Sequence, residues 1–530
     1  MIHKIVIVGG GSAGWMTAAT MVKTFPDKEI SLIESPNFET IGVGESTVGL
    51  LRPWINYLDL DESALIKATD ASLKLSIKFN NFYKKDSGGF HYPLGIPYTT
   101  FGENPFDIWH KKKYFYPDTP LSDFVDCLFP AAALFEENKY SENNDNQFDN
   151  FNPLRDIAYH FDAIKFAQWL KNEYCIPKGV TLISKTVKHI STNQKGVEKL
   201  IFTDDTEITA DLFIDCTGFK SMLLEQTLNE PFESYEDLLP NNSAWACQVP
   251  YKDKDLEIRP YTDCTAIDNG WVWNTPLYSR IGTGYVYSDK FVTPEQAQEE
   301  LKQHIKNNLV VKRTDSEMES LKFKHLKFKI GTHAKIFVKN VVAIGLSASF
   351  NEPIEGNGLY SVHEYLTRLI AILKRDDISQ FDRDMYNVAC RNLFDGFTEF
   401  IILHYALSHR DDTPYWETIK NKHFIDRNGD PYTQTQKRVQ NLYYLGNNFM
   451  NEWYHPYING GGVYLSTGMN LLMWDEYRIS ASALIYEYDP LINISGVLDE
   501  YERRKEKWKE AAKKELTLYQ YLKKTYYKED

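Results

Sequence analysis

Three glycines, Gly9, Gly11 and Gly14, stand in the run Gly9-Gly10-Gly11-Ser12-Ala13-Gly14 with the spacing of a turn whose backbone can approach a pyrophosphate. Ile5-Val6-Ile7-Val8 before the turn is a β-branched run of the kind buried in parallel sheets. Trp15 to Val22 after it reads as helix, so the pyrophosphate would meet a positive helix N-terminus. A second predicted strand, Glu29 to Ile33, ends at Glu34, 20 residues beyond Gly14. An acid there accepts hydrogen bonds from ribose hydroxyls and disfavours a 2′-phosphate. FAD and NAD share this fingerprint. Two later strand-to-glycine turns, Thr217-Gly218 and Ile344-Gly345, are where an FAD-type fold brings more backbone against its cofactor, and with the first turn they favour FAD.

Trp271-Val272-Trp273-Asn274-Thr275-Pro276 is a further singular stretch. As a strand it puts both indoles on one face. Its residue types alone describe a core strand that ends at proline.

Positioning these residues requires a succession of elements. The pattern from about 60 to 80 is helical, ending in Leu75-Ser76-Ile77-Lys78-Phe79. Residues 136–150, rich in Asn, Asp and Glu, read as a surface excursion. Tyr159-His160-Phe161-Asp162-Ala163 opens a helix. Strands follow at 180–190, 197–203, 207–215 and 341–344, and the chain beyond about 365 is mainly helical. Leu498, Tyr501, Trp508, Ala512, Tyr519 and Leu522 form one stripe of a terminal helix that docks on its own body.

The 530 residues allow two to four domains at roughly 100–200 residues each, or one elaborated fold. Lys plus Arg number 59 against 73 Asp plus Glu, a formal charge of −14 that argues against nucleic-acid or anionic-membrane partners. No apolar run approaches the roughly 20 residues of a membrane span. The first residues carry no signal-peptide cleavage region. Six scattered cysteines without a Cys-x-x-Cys pair predict neither a disulfide framework nor a metal site, and a reducing, cytoplasmic setting is expected. The 75 aromatic residues suit a flat apolar pocket or a large core.

In combination the motifs resemble the flavin-dependent halogenases, typified by the tryptophan halogenases. The resemblance runs through residues 9–16, Ile-Gly-Val-Gly-Glu-Ser-Thr at 41–47, Ser76 to Phe79, Tyr159 to Ala163, Asp211 to Gly218 and Glu352-Pro353-Ile354-Glu355. His404-Tyr405 and Asp412 to Trp416 belong to it too. It implies an α/β fold: a Rossmann-like FAD module of the glutathione-reductase and aromatic-hydroxylase type, with a mainly helical substrate-capping part. The FAD module is expected at 1–100 and 155–370, an excursion near the substrate pocket at 101–154, and the helical part at 371–530.

The resemblance also implies the chemistry. A separate flavin reductase supplies reduced FAD, which with oxygen and halide yields hypohalous acid; the acid crosses a tunnel to Lys78. Lys78 matches the family's essential lysine, as haloamine or hydrogen-bond donor, and Glu355 its essential glutamate. An ammonium can polarise a halogen donor, and a free amine can accept the halogen. Cofactor contacts carry over to the first turn (Gly9, Gly10, Gly11, Ala13 and Gly14), to Glu34 and Ser35, to Ile41, Val43 and Ser46 of a strap, and to Val187, Leu346 and Leu359. Where the family has Ser-Thr-Gly after its glutamate, this chain has Gly356-Asn357-Gly358. The amides of Asn357 and Gly358 are the expected halide donors, and the missing hydroxymethyl at 356 predicts a roomier site that prefers bromide or iodide to chloride. On the substrate side Phe101, Trp271, Trp273 and Pro276 match the family, with Thr275 in place of its isoleucine. The stretch from Gly460 to Trp474 lacks the residues that hold free tryptophan, so an indole, phenol or other electron-rich arene is expected. The rivals are an FAD-dependent aromatic monooxygenase and a non-catalytic flavin-binding protein. The oligomeric state is left open.

Overall fold

The computed structural model describes residues 2–37, 45–49, 51–98, 109, 112–113, 116–375, 377–421, 468–469 and 494–529. The chain folds into two compact units, each assembled from three stretches of sequence. One comprises Met1–Ala71, Tyr159–Cys247 and Lys324–Asp395, the other Ser72–Ala158, Gln248–Phe323 and Gly396–Asp530. This division differs from the expected 1–100/155–370, 101–154 and 371–530. Residues 72–98 and 248–323 fall with the C-terminal helices because their strands pair with one another.

The first unit is built on a six-stranded sheet. Its strands run in the order Phe337–Val338, Val341–Ala343, Leu212–Asp215, Lys4–Val8, Glu29–Ile33, Thr181–Ile183, all parallel except the first pair. Val8 pairs with both Ile33 and Asp215, and Asp215 with Ala343, so the strands end level and the turns that follow emerge along one edge. The β-branched run at 5–8 is buried as predicted: Ile5, Val6 and Ile7 are fully enclosed, each contributing about 1.5–3 kcal/mol. The helix Ser12–Thr24 lays Trp15, Met16, Ala18, Ala19 and Met21 into the core. The expected strands 180–190 and 207–215 are each split: Thr181–Ile183 and Leu212–Asp215 join the parallel sheet, while Val187–Asn193, Gly196–Phe202 and Glu207–Ile208 form a three-stranded antiparallel sheet.

In the second unit Arg280–Tyr287, Gly270–Pro276, Tyr261–Ile267, Ser76–Asn80 and Gly89–Pro93 lie side by side in that order. The pair 261–267 and 76–80 is parallel and the others antiparallel. The helices Asp123–Leu128, Pro130–Glu136 and Ile494–Ala512 pack together here.

Two further expected elements change. The helix predicted to about 80 is only Glu62–Ala68; Asp70 turns left-handed (φ +59°), and strands Ser72–Lys74 and Ser76–Asn80 follow. Leu73, Leu75, Ile77 and Phe79 recur at period two, which is the strand period. The terminal stripe is two helices, Ile494–Ala512 and Leu518–Leu522. They are separated by Leu516–Thr517, which pairs with Lys139–Tyr140, and Thr517 caps the second helix. The stripe docks as expected, with Tyr501, Trp508, Ala512 and Leu522 buried. All six cysteines are buried free thiols, and no helix among the described residues is long and apolar enough to cross a membrane.

Asp215 closes the strand Leu212–Asp215 and organises the turn after it. Its Oδ1 accepts from the Thr217 amide (3.0 Å) and hydroxyl (2.6 Å), and its Oδ2 from the amides of Leu223 (2.7 Å) and Leu224 (3.0 Å). Asp215→Ala strands three backbone amides, so it should cost about 3–5 kcal/mol, at about 1–3 kcal/mol per buried orphan less local relaxation. Asp215→Asn, which keeps one acceptor oxygen, should cost about half as much. Chemical denaturation of the two variants checks the ranking.

Candidate active site

The glycines of the first turn have separate tasks. A Cβ at Gly14 would stand 1.9 Å from the Gly9 carbonyl oxygen, and one at Gly9 (φ +118°) 2.2 Å from the Cys216 carbonyl oxygen. These two are required by chain-to-chain packing, not by a ligand. Gly11 has open space where its side chain would be, and it caps the helix Ser12–Thr24 without a side-chain hydrogen bond. The first-turn amides therefore face outward past Gly11, as a phosphate site requires.

Glu34 reaches this turn, since a Cβ at Gly10 would lie 2.5 Å from its Cγ. Its carboxylate is held by Lys171, whose Nζ also lies 5.7 Å from the centre of the Trp15 ring. Spacing identified Glu34; nothing in the sequence pointed to Lys171, which depends on how a later helix packs. Ser35 Oγ lies 2.8 Å from Thr186 Oγ1, one residue before Val187 begins its strand. Ile41, Val43 and Phe101 lie outside the described residues.

The other two turns close on the first. A Cβ at Gly345 (φ +77°) would be 2.7 Å from the Ala13 side chain. Ser347 donates to the Asp215 carbonyl, and Ser221 Oγ donates to the Ser347 carbonyl at 3.0 Å. Leu346 is left 39% exposed at the tip of its turn, while Leu359 is buried in the following helix. Three strand ends, three turns and one carboxylate thus form a single cradle, and its donor set fits a dinucleotide.

Glu355, buried, ends the short turn Pro353–Glu355. Gly356 is left-handed (φ +66°), and a Cβ there would stand 2.6 Å from the Ser46 carbonyl oxygen. Ser46 lies in the two-residue strand Glu45–Ser46, paired with Phe161 and His160. The seventeen-residue helix Asn357–Leu373 starts at Gly356 with no side-chain cap, so the amides of Asn357 and Gly358 have no partner within the helix. Space beside Gly358 is open. The expected extra room at Gly356 is absent, because the Ser46 backbone fills it. The room is at Gly358.

Lys78 is half-buried in the middle of the strand Ser76–Asn80, which lies next to the edge strand Gly89–Pro93 of the second unit's sheet. Register places it directly between His91 and Asp263, and the row continues through Asn274 to Thr283. Its Nζ lies 5.6 Å from the centre of the Tyr261 ring. Asp263 Oδ1 accepts from Asn80 Nδ2 (3.0 Å) and Thr265 Oγ1 (2.9 Å), and burial pushes its carboxyl above the usual range. Trp271 and Trp273 share a face as predicted, with ring centres 6.3 Å apart, but it is the opposite face from Lys78. Trp273 stands in the row of Cys264 and Phe79, and Phe79 packs on Phe82, Phe90 and His404. The tryptophans therefore belong to an apolar layer, whereas Lys78 belongs to a polar one. Pro276 ends the strand, its carbonyl accepting from Ser72.

Among the described residues Asp123, Cys127 and Glu502 come close enough to share a cation. They already surround the Lys112 ammonium, with Nζ 2.8 Å from Asp123 and 2.6 Å from Glu502.

The tryptophan halogenase family model matches residues 4–471. Tryptophan 6-halogenase SttH of Streptomyces toxytricini is 33% identical over 445 residues, covering 79% of this chain and 81% of that protein. 7-chloro-L-tryptophan 6-halogenase KtzR of Kutzneria sp. (strain 744) is 33% identical over 443 residues, covering 80% and 83%. The apo structure of VirX1 superposes with a TM-score of 0.88 at 33% identity over 100% of both chains. With the cradle and the match along most of its length, the chain belongs to the tryptophan halogenase family of flavin-dependent halogenases.

Proposed function

We propose that this enzyme is a two-component halogenase that takes reduced FAD from a separate reductase, uses oxygen and halide, and halogenates an electron-rich arene of indole or phenol type. The observation that carries the reading is the start of the helix Asn357–Leu373. Its first amides have no partner within the helix, the space beside Gly358 is open, and buried Glu355 immediately precedes them, in the same unit as the dinucleotide cradle. Reduced FAD, when bound, supplies with oxygen the oxidising power that turns halide into hypohalous acid. The glycine turn and Glu34 hold the dinucleotide. The Asn357 and Gly358 amides hold the halide by charge and geometry alone.

Lys78 acts on the hypohalous acid, which reaches it through the protein. As an ammonium it donates to the acid's oxygen and weakens the oxygen–halogen bond. The arene carbon takes the halogen, and its displaced proton leaves with the oxygen as water. As a free amine it would take up the halogen first, releasing water, and pass it on. Lys78→Arg separates the roles, because a guanidinium keeps the donors without offering a free amine. The absence of tryptophan-holding residues between Gly460 and Trp474 favours an arene other than the free amino acid.

Lys78→Ala should leave FAD affinity and oxygen consumption near normal while enzyme-directed halogenation falls by about 10³-fold or more, as for loss of a group acting on the transition state. Product analysis, with folding and FAD binding measured on the same variant, checks this. Near-normal product would remove Lys78 from the chemistry. Glu34→Lys should weaken FAD binding at least about tenfold by removing the ribose acceptor and setting two cations side by side; flavin fluorescence titration reads it. In competition at equal concentrations, bromide should be incorporated faster than chloride, since bromide is easier to oxidise and the space at Gly358 admits the larger ion. Mass spectrometry of the mixed products decides, and chloride winning would contradict it.

A further inference from the structure

Lys78 makes no ion pair among the described residues, although two carboxylates accompany it. Asp263, on one side, is engaged by Asn80 and Thr265. Glu136, on the other, is engaged by His91. The His91 ring is 1% exposed and fixed from four directions. Its Nδ1 lies 2.8 Å from Ser76 Oγ and its Nε2 3.0 Å from Glu136 Oε1. It stacks on Phe135 at 4.1 Å and 19°, and meets Tyr261 edge-on at 5.0 Å. Nε2 and the Glu136 carboxylate form a close polar contact rather than an aligned hydrogen bond; because a carboxylate only accepts, that contact favours the proton on Nε2, with Nδ1 accepting from the Ser76 hydroxyl. The ring is then neutral and confined to one tautomer. Burial and Lys78 both hold the imidazole below its ordinary pKa against the pull of Glu136. Burial raises the Glu136 carboxyl, but His91, Lys78 and Arg259 together outweigh it and hold the group at about 2.

Glu136 ends the helix Pro130–Glu136 and is 44% exposed, so it reaches inward from the surface to meet a ring that is entirely enclosed. A histidine that merely filled the core would need no such partner. We infer that His91 is a positioning residue for Lys78: the ring stands between the Glu136 carboxylate and the ammonium, holds the first by their close contact, and leaves the second available above Tyr261. Without the ring's N–H, Glu136 swings onto Lys78 and occupies the donors that the halogen donor would use. This inference rests on the halogenase reading for its chemical consequence, but not for its geometry.

His91→Phe keeps the ring's bulk and its stacking and removes both nitrogens. With reduced FAD, bromide and indole as probe, it should lower kcat at least tenfold with FAD affinity unchanged. Glu136→Gln alone should stay within threefold of wild type. The double variant His91→Phe/Glu136→Gln should recover to within threefold, a rescue that no structural role of His91 produces. Without flavin, the rate at which an activated ester acylates Lys78, read by peptide mass spectrometry, should fall at least fivefold in His91→Phe and recover in the double variant. If His91→Phe does not fold, His91→Met, which has no N–H and adapts its shape, carries the same expectations. A single variant as active and as readily acylated as wild type, or a double variant no better than the single, overturns the inference. Acylation that follows the predicted pattern while no variant, wild type included, halogenates indole or any other arene would instead overturn the halogenase reading and leave the positioning intact.

Discussion

The backbone of the first turn passes so close to itself and to the next strand that no side chain fits at two of its positions. Gly14 lies under the Gly9 carbonyl, and Gly9 under that of Cys216. Because these contacts tie the end of Lys4–Val8 to the end of Leu212–Asp215, the turns after Val8, Asp215 and Ala343 are held at one edge. Asp215 fixes the second turn through four hydrogen bonds, and Gly345 closes the third against Ala13. The cradle for a dinucleotide is a consequence of that crowding, with Gly11 the position left open to a ligand. A similar contact recurs at Gly356, where the Ser46 backbone fixes the turn from which the Glu355 carboxylate and the helix amides are presented.

The second unit solves a different problem, which is to keep a lysine available inside a sheet. Alternation sends Phe79, Phe90 and Trp273 to an apolar layer and Lys78, His91 and Asp263 to the other face. Burying charge there is tolerable because Asp263 has its own donors, Glu136 is partly exposed beside His91, and Lys78 retains part of its solvent access. The same pleat separates the tryptophan pair from Lys78.

What the sequence made legible was local. The glycine spacing, the acid at 34 and the β-branched run at 5–8 each express a steric or burial rule within a few residues, and each stands where it was expected. The strand around Lys78 reads as helix although Leu73, Leu75, Ile77 and Phe79 alternate, because a short helix before Asp70 masks the change of period. Asp215 had a faint signal in Asp215-Cys216-Thr217-Gly218. Asp263, Glu136 and Lys171 had none, since their places depend on register between strands nearly two hundred residues apart or on the packing of a helix, and His91 depends on pairing with a strand that reads as helix. The two units have no local signature for the same reason: each gathers three separate stretches.

The central claim is that an oxidising equivalent made at the flavin ends as a carbon–halogen bond. The most direct measurement supplies the purified chain with FAD, a flavin reductase, oxygen and bromide, offers a panel of indoles and phenols, and reads the products by mass spectrometry. The account predicts products bearing the paired isotopic signature of bromine, formed only when both bromide and enzyme are present. Hydroxylated arenes whose yield ignores bromide, or flavin binding with no altered arene at all, would contradict it.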